Sequence, residues 1–321
     1  MKLATYKDGT RDGQLVVVSR DLSTAHYATG IASRMQQALD DWGFIAPQLQ
    51  DLYDTLNHGK ARHAFPFDPA LCMAPLPRAY QRLRGAAYPS HTALLGQTEA
   101  GLVLHQAGSD RLLGAQDPLV CASEKLEADF SAEIVVITGD LALGSSVNEA
   151  LEAVRLVMLS NHVTLRSLAA SHSLQSQPVA AFSPVAVTLD ELGDAWDNGC
   201  VHLTVQVAWN GRKVGMCDAG SDMRDHFGQL MAHACKTRPV RAGTLVSSGT
   251  LSNAGVEKNG KTEWPKGYGC IAEKRAMETA LDGNATTAFM RWGDTLRIEA
   301  KGKEGQSMFG AIDQTLTSLN P

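Results

Sequence analysis

The chain lacks the features that would place it at a membrane, on a nucleic acid or in an oxidising compartment. No apolar run approaches the roughly 20 residues needed to span a bilayer. The opening Met1-Lys2-Leu3-Ala4-Thr5-Tyr6-Lys7-Asp8 is too polar for a secretory leader. Positive charge is not in excess: the net charge is −5, which gives no electrostatic case for nucleic acid or an anionic membrane surface. The six cysteines, at 72, 121, 200, 217, 235 and 270, form no C-x-x-C pair, so neither a zinc knuckle nor a redox motif is expected. They read as reduced, mostly buried thiols, and the protein is expected to be cytoplasmic. No repeat and no low-complexity tract interrupts the chain.

What is present is ordinary globular material. A length of 321 residues, with 44% hydrophobic and 20% charged side chains, supports a sizeable core in one large or two unequal domains. Segments 2–7 and 14–19 alternate around Asp8-Gly9 and Asp12-Gly13, a hairpin pattern. Helical spacing follows over 31–42 and 47–56. The prolines between Phe65 and Pro77 bias their predecessors away from helix and read as an extended linker. They place a boundary near residue 70, between a small N-terminal domain (1–70) and a larger one (71–321). Beyond it, 133–138, 180–187, 201–209, 244–248 and 295–299 are rich in β-branched residues and read as strands. Asn210-Gly211 marks a hairpin turn, and 302–305 is read as another before a strand over 307–312. Helices are predicted over 148–159, capped by Asn148, and over 222–234, capped by Asp222. Many strands with few helices indicate a β-rich α+β fold.

One passage carries more. Asp129-Phe130-Ser131-Ala132-Glu133 leads through Ile134-Val135-Val136-Ile137-Thr138-Gly139-Asp140, and Asn161-His162-Val163-Thr164-Leu165-Arg166 follows. Around it stand Ala74-Pro75-Leu76-Pro77-Arg78, Tyr88-Pro89-Ser90-His91, Phe182-Ser183-Pro184-Val185, Val246-Ser247-Ser248-Gly249-Thr250, Tyr268-Gly269-Cys270-Ile271-Ala272-Glu273 and Gly293-Asp294-Thr295-Leu296. In order and spacing these resemble the fumarylacetoacetate hydrolase family over about residues 71–315. The resemblance implies a mixed β-roll catalytic domain behind a small N-terminal domain, and usually a homodimer. It also implies C–C bond hydrolysis of a β-dicarbonyl or 2-oxo acid, or related hydratase, decarboxylase or isomerase chemistry, with a small carboxylate as substrate.

Carried over residue by residue, the resemblance makes His91 the base and Glu273 the carboxylate that orients it. That chemistry is sound, because imidazole takes a proton near neutral pH and a carboxylate stabilises its charged form. Each also has a plain structural reading: His91 as a hydrogen-bonded or exposed histidine, Glu273 as a strand-end glutamate paired with Lys274 or Arg275. Gly249 and Thr250 fall where relatives bind a substrate oxygen through a backbone amide and a hydroxyl, although Gly249 also suits a tight turn. Arg166 falls on an arginine that in relatives supports the site or binds a carboxylate, and its plain reading is a surface charge. Tyr88 is expected either to reach substrate or to pack in the core.

The departures concern the metal. Relatives hold Mg²⁺ or Ca²⁺ with a carboxylate ahead of the histidine, a Glu-x-Glu pair and an Asp after Asn. Here those positions are Arg84, Ser131 with Glu133, and His162. A substrate-facing lysine has become Gln177. Glu133 alone is an unaltered ligand, a poor cage for hard cations that need several oxygens. The chain is therefore expected to bind a divalent ion weakly or not at all, with Arg84 in its electrostatic role, paired with Glu133 and able to bind a carboxylate or enolate. A second reading keeps a transition metal on Glu133 and His162, without an evident third ligand. Function divides likewise: a metal-free hydrolase, a retired enzyme that binds a carboxylate or a partner protein, or a metal-free isomerase or decarboxylase. Leu94, Leu95, Gln97 and the segment 258–266 are expected at the pocket mouth, and 255–267 reads as a mobile surface loop that could be a lid.

Overall fold

The computed structural model describes residues 1–97, 101–169 and 173–319. Its centre is a mixed 13-stranded sheet. Three of its strands carry the family passages: Ala132–Thr138 lies antiparallel between Val154–Leu165 and Thr244–Ser247. The Gln81–Gly85 strand adds parallel to Thr244–Ser247, and Leu104–Ala107 closes that side. On the other side the hairpin strands Lys2–Tyr6 and Gln14–Val18 join through Ala186–Val187. A second, five-stranded sheet includes Thr204–Trp209, Arg212–Asp218 and Thr295–Lys301.

Alternation along the central strands sends successive side chains to opposite faces. Ile134, Val136, Val157 and Leu159 enter one core. Val135, Ile137, Leu156 and Met158 enter another, beneath the helices Met35–Asp40 and Trp42–Asn57, whose Met35, Leu39, Ile45, Leu49 and Tyr53 cover them. The same alternation puts Ser131 and Glu133 in line with Val135, and Ser160 and His162 in line with Met158. The face covered by the N-terminal helices is thus apolar at one end and polar at the other.

Several elements differ from their sequence reading. The helix expected over 148–159 is the short helix Val147–Glu152, and a 12-residue strand begins at Val154. Its cap is Ser146 in a capping box with Glu149, not Asn148. The apolar run after residue 153 fits either period, and burial between two strands decides for the sheet. The helix expected over 222–234 is Phe227–Cys235, with His226 at its N-cap. Asp222 instead accepts hydrogen bonds from Asn253 and Ala254. Segment 180–187 is broken into Val179–Phe182 and Ala186–Val187 around Pro184. The last strand begins at Ile312, the final residue of the segment 307–312 read for it, and runs on to Thr317. Segment 255–267 contains an exposed hairpin, Val256–Lys258 with Lys261–Glu263, turning at Asn259-Gly260, where both φ are positive.

The N-terminal segment is tied down by more than apolar contact. The Tyr53 hydroxyl donates to Glu191 Oε2 at 2.8 Å, and Arg20 Nε donates to Oε1 of the same carboxylate. Tyr53→Phe removes a hydrogen bond to a charged, buried acceptor. Urea unfolding should show a loss of about 1.5–3 kcal/mol, with the midpoint shifted and the slope unchanged.

Candidate active site

Two short elements bring His91 and Glu273 together. Pro89 opens the helix Pro89–Leu94, where the fixed φ and missing N–H of proline cost nothing. His91 thereby projects at its first turn. Glu273 lies in the first turn of the helix Ile271–Asp282, where a carboxylate is favoured by the helix dipole. It is fully buried. Its Oε2 accepts from the Gly269 amide at 2.8 Å, and its Oε1 lies 2.9 Å from His91 Nδ1. With Glu273 ionised, Nδ1 carries the shared proton and Nε2 is left as a proton acceptor.

The neighbouring strands build the opposite wall. Ser247 is the register partner of Arg84 on one side and of Val135 on the other, and Glu133, two residues before Val135 on the same face, reaches both with its carboxylate. Arg84 Nε donates to Glu133 Oε1 at 2.6 Å, and its Nη2 donates to Thr250 Oγ1 at 3.0 Å. Ser131 Oγ donates to Glu133 Oε1 at 3.2 Å and lies 2.8 Å from Thr250 Oγ1. Ser247 Oγ donates to Glu133 Oε2. The carboxylate, fully buried, is therefore held by three donors of its own chain, on both oxygens.

The two walls enclose a cleft of about 300 Å³, lined by Arg84, Tyr88, His91, Arg166, Gln177 and Thr250 among others. Leu95 and Gln97 line it too, and so does His105, the cross-strand partner of Arg84. Arg166 is anchored through Nε to Asp129 Oδ2 at 2.9 Å. Asp129 also accepts from the amides of Ile271 and Ala272, so one carboxylate ties Arg166 to the start of the Glu273 helix. Burial pushes the Asp129 carboxyl upward, against Arg166 and the two amides. Burial likewise pulls Arg166 down, but Asp129, Cys270 and Glu273 together outweigh it and the net shift is upward.

Two sequence-predicted residues take other roles. The Gly249 amide is spent on Ser247 Oγ at 3.1 Å. Its φ of +82°, with Gly85 O only 2.2 Å from where a Cβ would sit, makes it a turn residue. Tyr88 touches the cleft, but its hydroxyl is buried and donates to Ala219 O at 2.6 Å. Glu273, moreover, is not a strand-end residue paired with Lys274 or Arg275, since Lys274 pairs with Glu278.

Arg82 went unnoticed in the sequence. It is 2% exposed, and its Nη2 donates to His162 Nδ1 at 2.8 Å. Burial lowers its pKa to about 10, so it stays charged at neutral pH. The local charge is thus one carboxylate, Glu133, against two guanidiniums: Arg84 alone would neutralise it, and Arg82 brings the sum to +1. The alternation Arg82-Leu83-Arg84 was the available signal, but such a pattern ordinarily marks a solvent face. Ser247, another residue missed, lay in view inside a family passage.

These residues do not fit Mg²⁺ or Ca²⁺. A hard cation needs several oxygen ligands, and here it would have to displace Arg84 from Glu133 beside a second buried guanidinium. A transition metal on Glu133 and His162 is likewise disfavoured. Arg82 occupies Nδ1 of His162, and the imidazole is held well below its usual pKa by burial and by Arg84, Arg82 and Arg166. Unfolded, His162 binds a proton below pH 6.5; folded, it does not. Stability should therefore fall as pH drops below 6.5, by up to about 1.4 kcal/mol per unit for this group. His162→Gln, which does not titrate, should flatten that slope in denaturant titrations between pH 6.5 and 5.

Comparison with known proteins agrees with this architecture. Residues 1–78 match the fumarylacetoacetase N-terminal domain 2 family and residues 83–317 the fumarylacetoacetate (FAA) hydrolase C-terminal family. No curated protein matches the chain. Among solved structures, it is similar to a probable 2-hydroxyhepta-2,4-diene-1,7-dioate isomerase from Mycobacterium abscessus (18% identity, TM-score 0.69, all of both chains covered). It also resembles maleylpyruvate hydrolase from Sphingobium sp. SYK-6, solved with manganese(II) and pyruvate (15%, 0.67, 99% of each chain). A third is 5-carboxymethyl-2-hydroxymuconate delta-isomerase from Mycobacterium smegmatis (13%, 0.63, all of both chains). At such identities the structures speak for the fold alone. The family matches cover most of the chain, and it belongs to the fumarylacetoacetate hydrolase family, which includes hydrolases and isomerases of oxo acids.

Proposed function

We propose that this protein is a metal-independent enzyme acting on a small 2-oxo or β-dicarbonyl acid, hydrolysing a carbon–carbon bond with water activated by His91 and Glu273. The observation that carries the reading is the pairing of His91 with buried Glu273 across one cleft from a guanidinium already seated on Glu133. Nε2 of His91 takes a proton from water, Glu273 stabilises the imidazolium, and the hydroxide adds to the substrate carbonyl. The carbon–carbon bond then breaks, its electron pair becomes the enolate of the departing 2-oxo acid, and the imidazolium is placed to return the proton to carbon. Arg84 Nη1, which makes no hydrogen bond among the described residues, faces this chemistry as a permanent donor to the substrate carboxylate or enolate. Arg166, Gln177 and Thr250 line the same cleft and bind the remaining substrate oxygens.

Isomerisation is the second reading. It needs the same base and enolate stabilisation but no attacking water, and isomerases of dicarboxylic acids stand among the structural neighbours. Proton NMR of an acylpyruvate panel in deuterium oxide separates the two, by cleavage products in one case and deuterium exchange without cleavage in the other. A retired enzyme would do neither.

His91→Ala should reduce turnover by at least about 100-fold, the usual worth of a positioned acid–base group. Equal rates in wild type and variant end the proposal. Dialysis against EDTA should leave turnover unchanged, and mass spectrometry of the purified protein should show divalent metal well below one ion per chain. Stoichiometric metal whose removal abolishes activity overturns the role given to Arg84.

A further inference from the structure

Behind the His91–Glu273 pair lies a thiol that the proposed chemistry does not use. Cys270 is fully buried at the N-cap of the helix that carries Glu273. One ligand atom each from His91, Cys270 and Glu273 lie within 4.8 Å of one another, the one such His/Cys/Asp/Glu group among the described residues. Arg166 Nη2 lies 3.8 Å from the sulfur. A tetrahedral ion with bonds of about 2.0–2.3 Å holds its ligand atoms roughly 3.3–3.8 Å apart, so the 2.9 Å between His91 Nδ1 and Glu273 Oε1 has to open slightly and any separation near the 4.8 Å limit has to close. Imidazole, thiolate and carboxylate select a thiophilic d¹⁰ ion over Mg²⁺ or Ca²⁺. Three protein ligands also leave a fourth position for water.

We propose that His91, Cys270 and Glu273 form a binding site for a thiophilic divalent ion such as Zn²⁺ or Cd²⁺, and that its occupation switches the enzyme off. The site is separate from Glu133, where a guanidinium stands. The balance is simple. Cys270 releases its thiol proton to solvent and binds as thiolate. Glu273 binds as carboxylate, and His91 binds through Nδ1 while its proton moves to Nε2. Two anionic ligands meet a charge of +2 and the centre is neutral. Nε2 now carries a proton and cannot accept another, so the base is lost. This inhibitory consequence rests on the acid–base role given above to His91 and Glu273; the binding itself does not.

The test is a titration of the full chain with Cd²⁺, following the ultraviolet thiolate-to-cadmium charge-transfer band. The band should saturate at one ion per chain. It should vanish in Cys270→Ser and in His91→Ala, and persist in Cys217→Ser, the other buried thiol in the field of Glu273. Cys270→Ser should keep wild-type turnover while losing inhibition by Zn²⁺. No band in wild type, a band that survives in Cys270→Ser, or one lost in Cys217→Ser overturns the proposal. A failed acid–base assignment would show instead as His91→Ala retaining activity, with the cadmium band of the wild type intact.

Discussion

The carboxylate of Glu133 constrains everything around it. It is buried in the middle of a sheet, where an unpaired charge cannot persist. The family resemblance implies a divalent cation at this place. Here the chain supplies its own, with Arg84 on Oε1 and the hydroxyls of Ser131 and Ser247 completing the shell. Those donors come from two neighbouring strands and from the residue that leads into the strand of Glu133 itself, so the alignment of the sheet and the neutralisation of the charge are one geometric fact. Removing the guanidinium would strand a buried anion, typically at about 3–5 kcal/mol. The site residue is therefore also a structural one, and an account of its chemistry that ignores folding would misassign its role.

A guanidinium differs from a divalent ion in ways that matter for catalysis. It cannot take several ligands from a substrate, and it polarises an oxygen less strongly than a metal does. It has the advantage of being always charged and always present. Arg82 strengthens the field from behind while its own hydrogen bond goes to His162. Burial and three guanidiniums keep His162 neutral, so where the resemblance implies an anionic ligand this protein holds an uncharged ring. The substitutions at 84, 131 and 162 and the arginine at 82 form one rearrangement of charge.

Much of this was legible in the sequence. The ordered passages from Ala74 to Leu296 gave the family, position in those passages singled out His91, Glu273, Glu133 and Thr250, and spacing back from His91 singled out Arg84; all five share one locality in the structure. The rest failed for physical reasons. The run from Val154 to Leu159 fits a helix as well as a doubly buried strand, because neither face has to be polar. Asp222 looked like a helix cap, since an acceptor ahead of an apolar stretch is the usual sign; its partners, Asn253 and Ala254, are some thirty residues away. Arg82 was invisible because local pattern cannot tell a charged residue facing water from one facing a buried histidine.

The first hairpin pairs with Ala186–Val187 through Lys2–Tyr6, inside the same sheet that carries the cleft. Two family segments are joined here through shared hydrogen bonds as well as through a covalent linker. Cutting the chain between them would do more than remove a lid from a core. It would leave a raw strand edge at residues 186–187 and expose Val135, Ile137, Leu156 and Met158, the makings of edge-to-edge aggregation. The two segments thus share one sheet and one core, and neither can be replaced without rebuilding the edge it presents to the other.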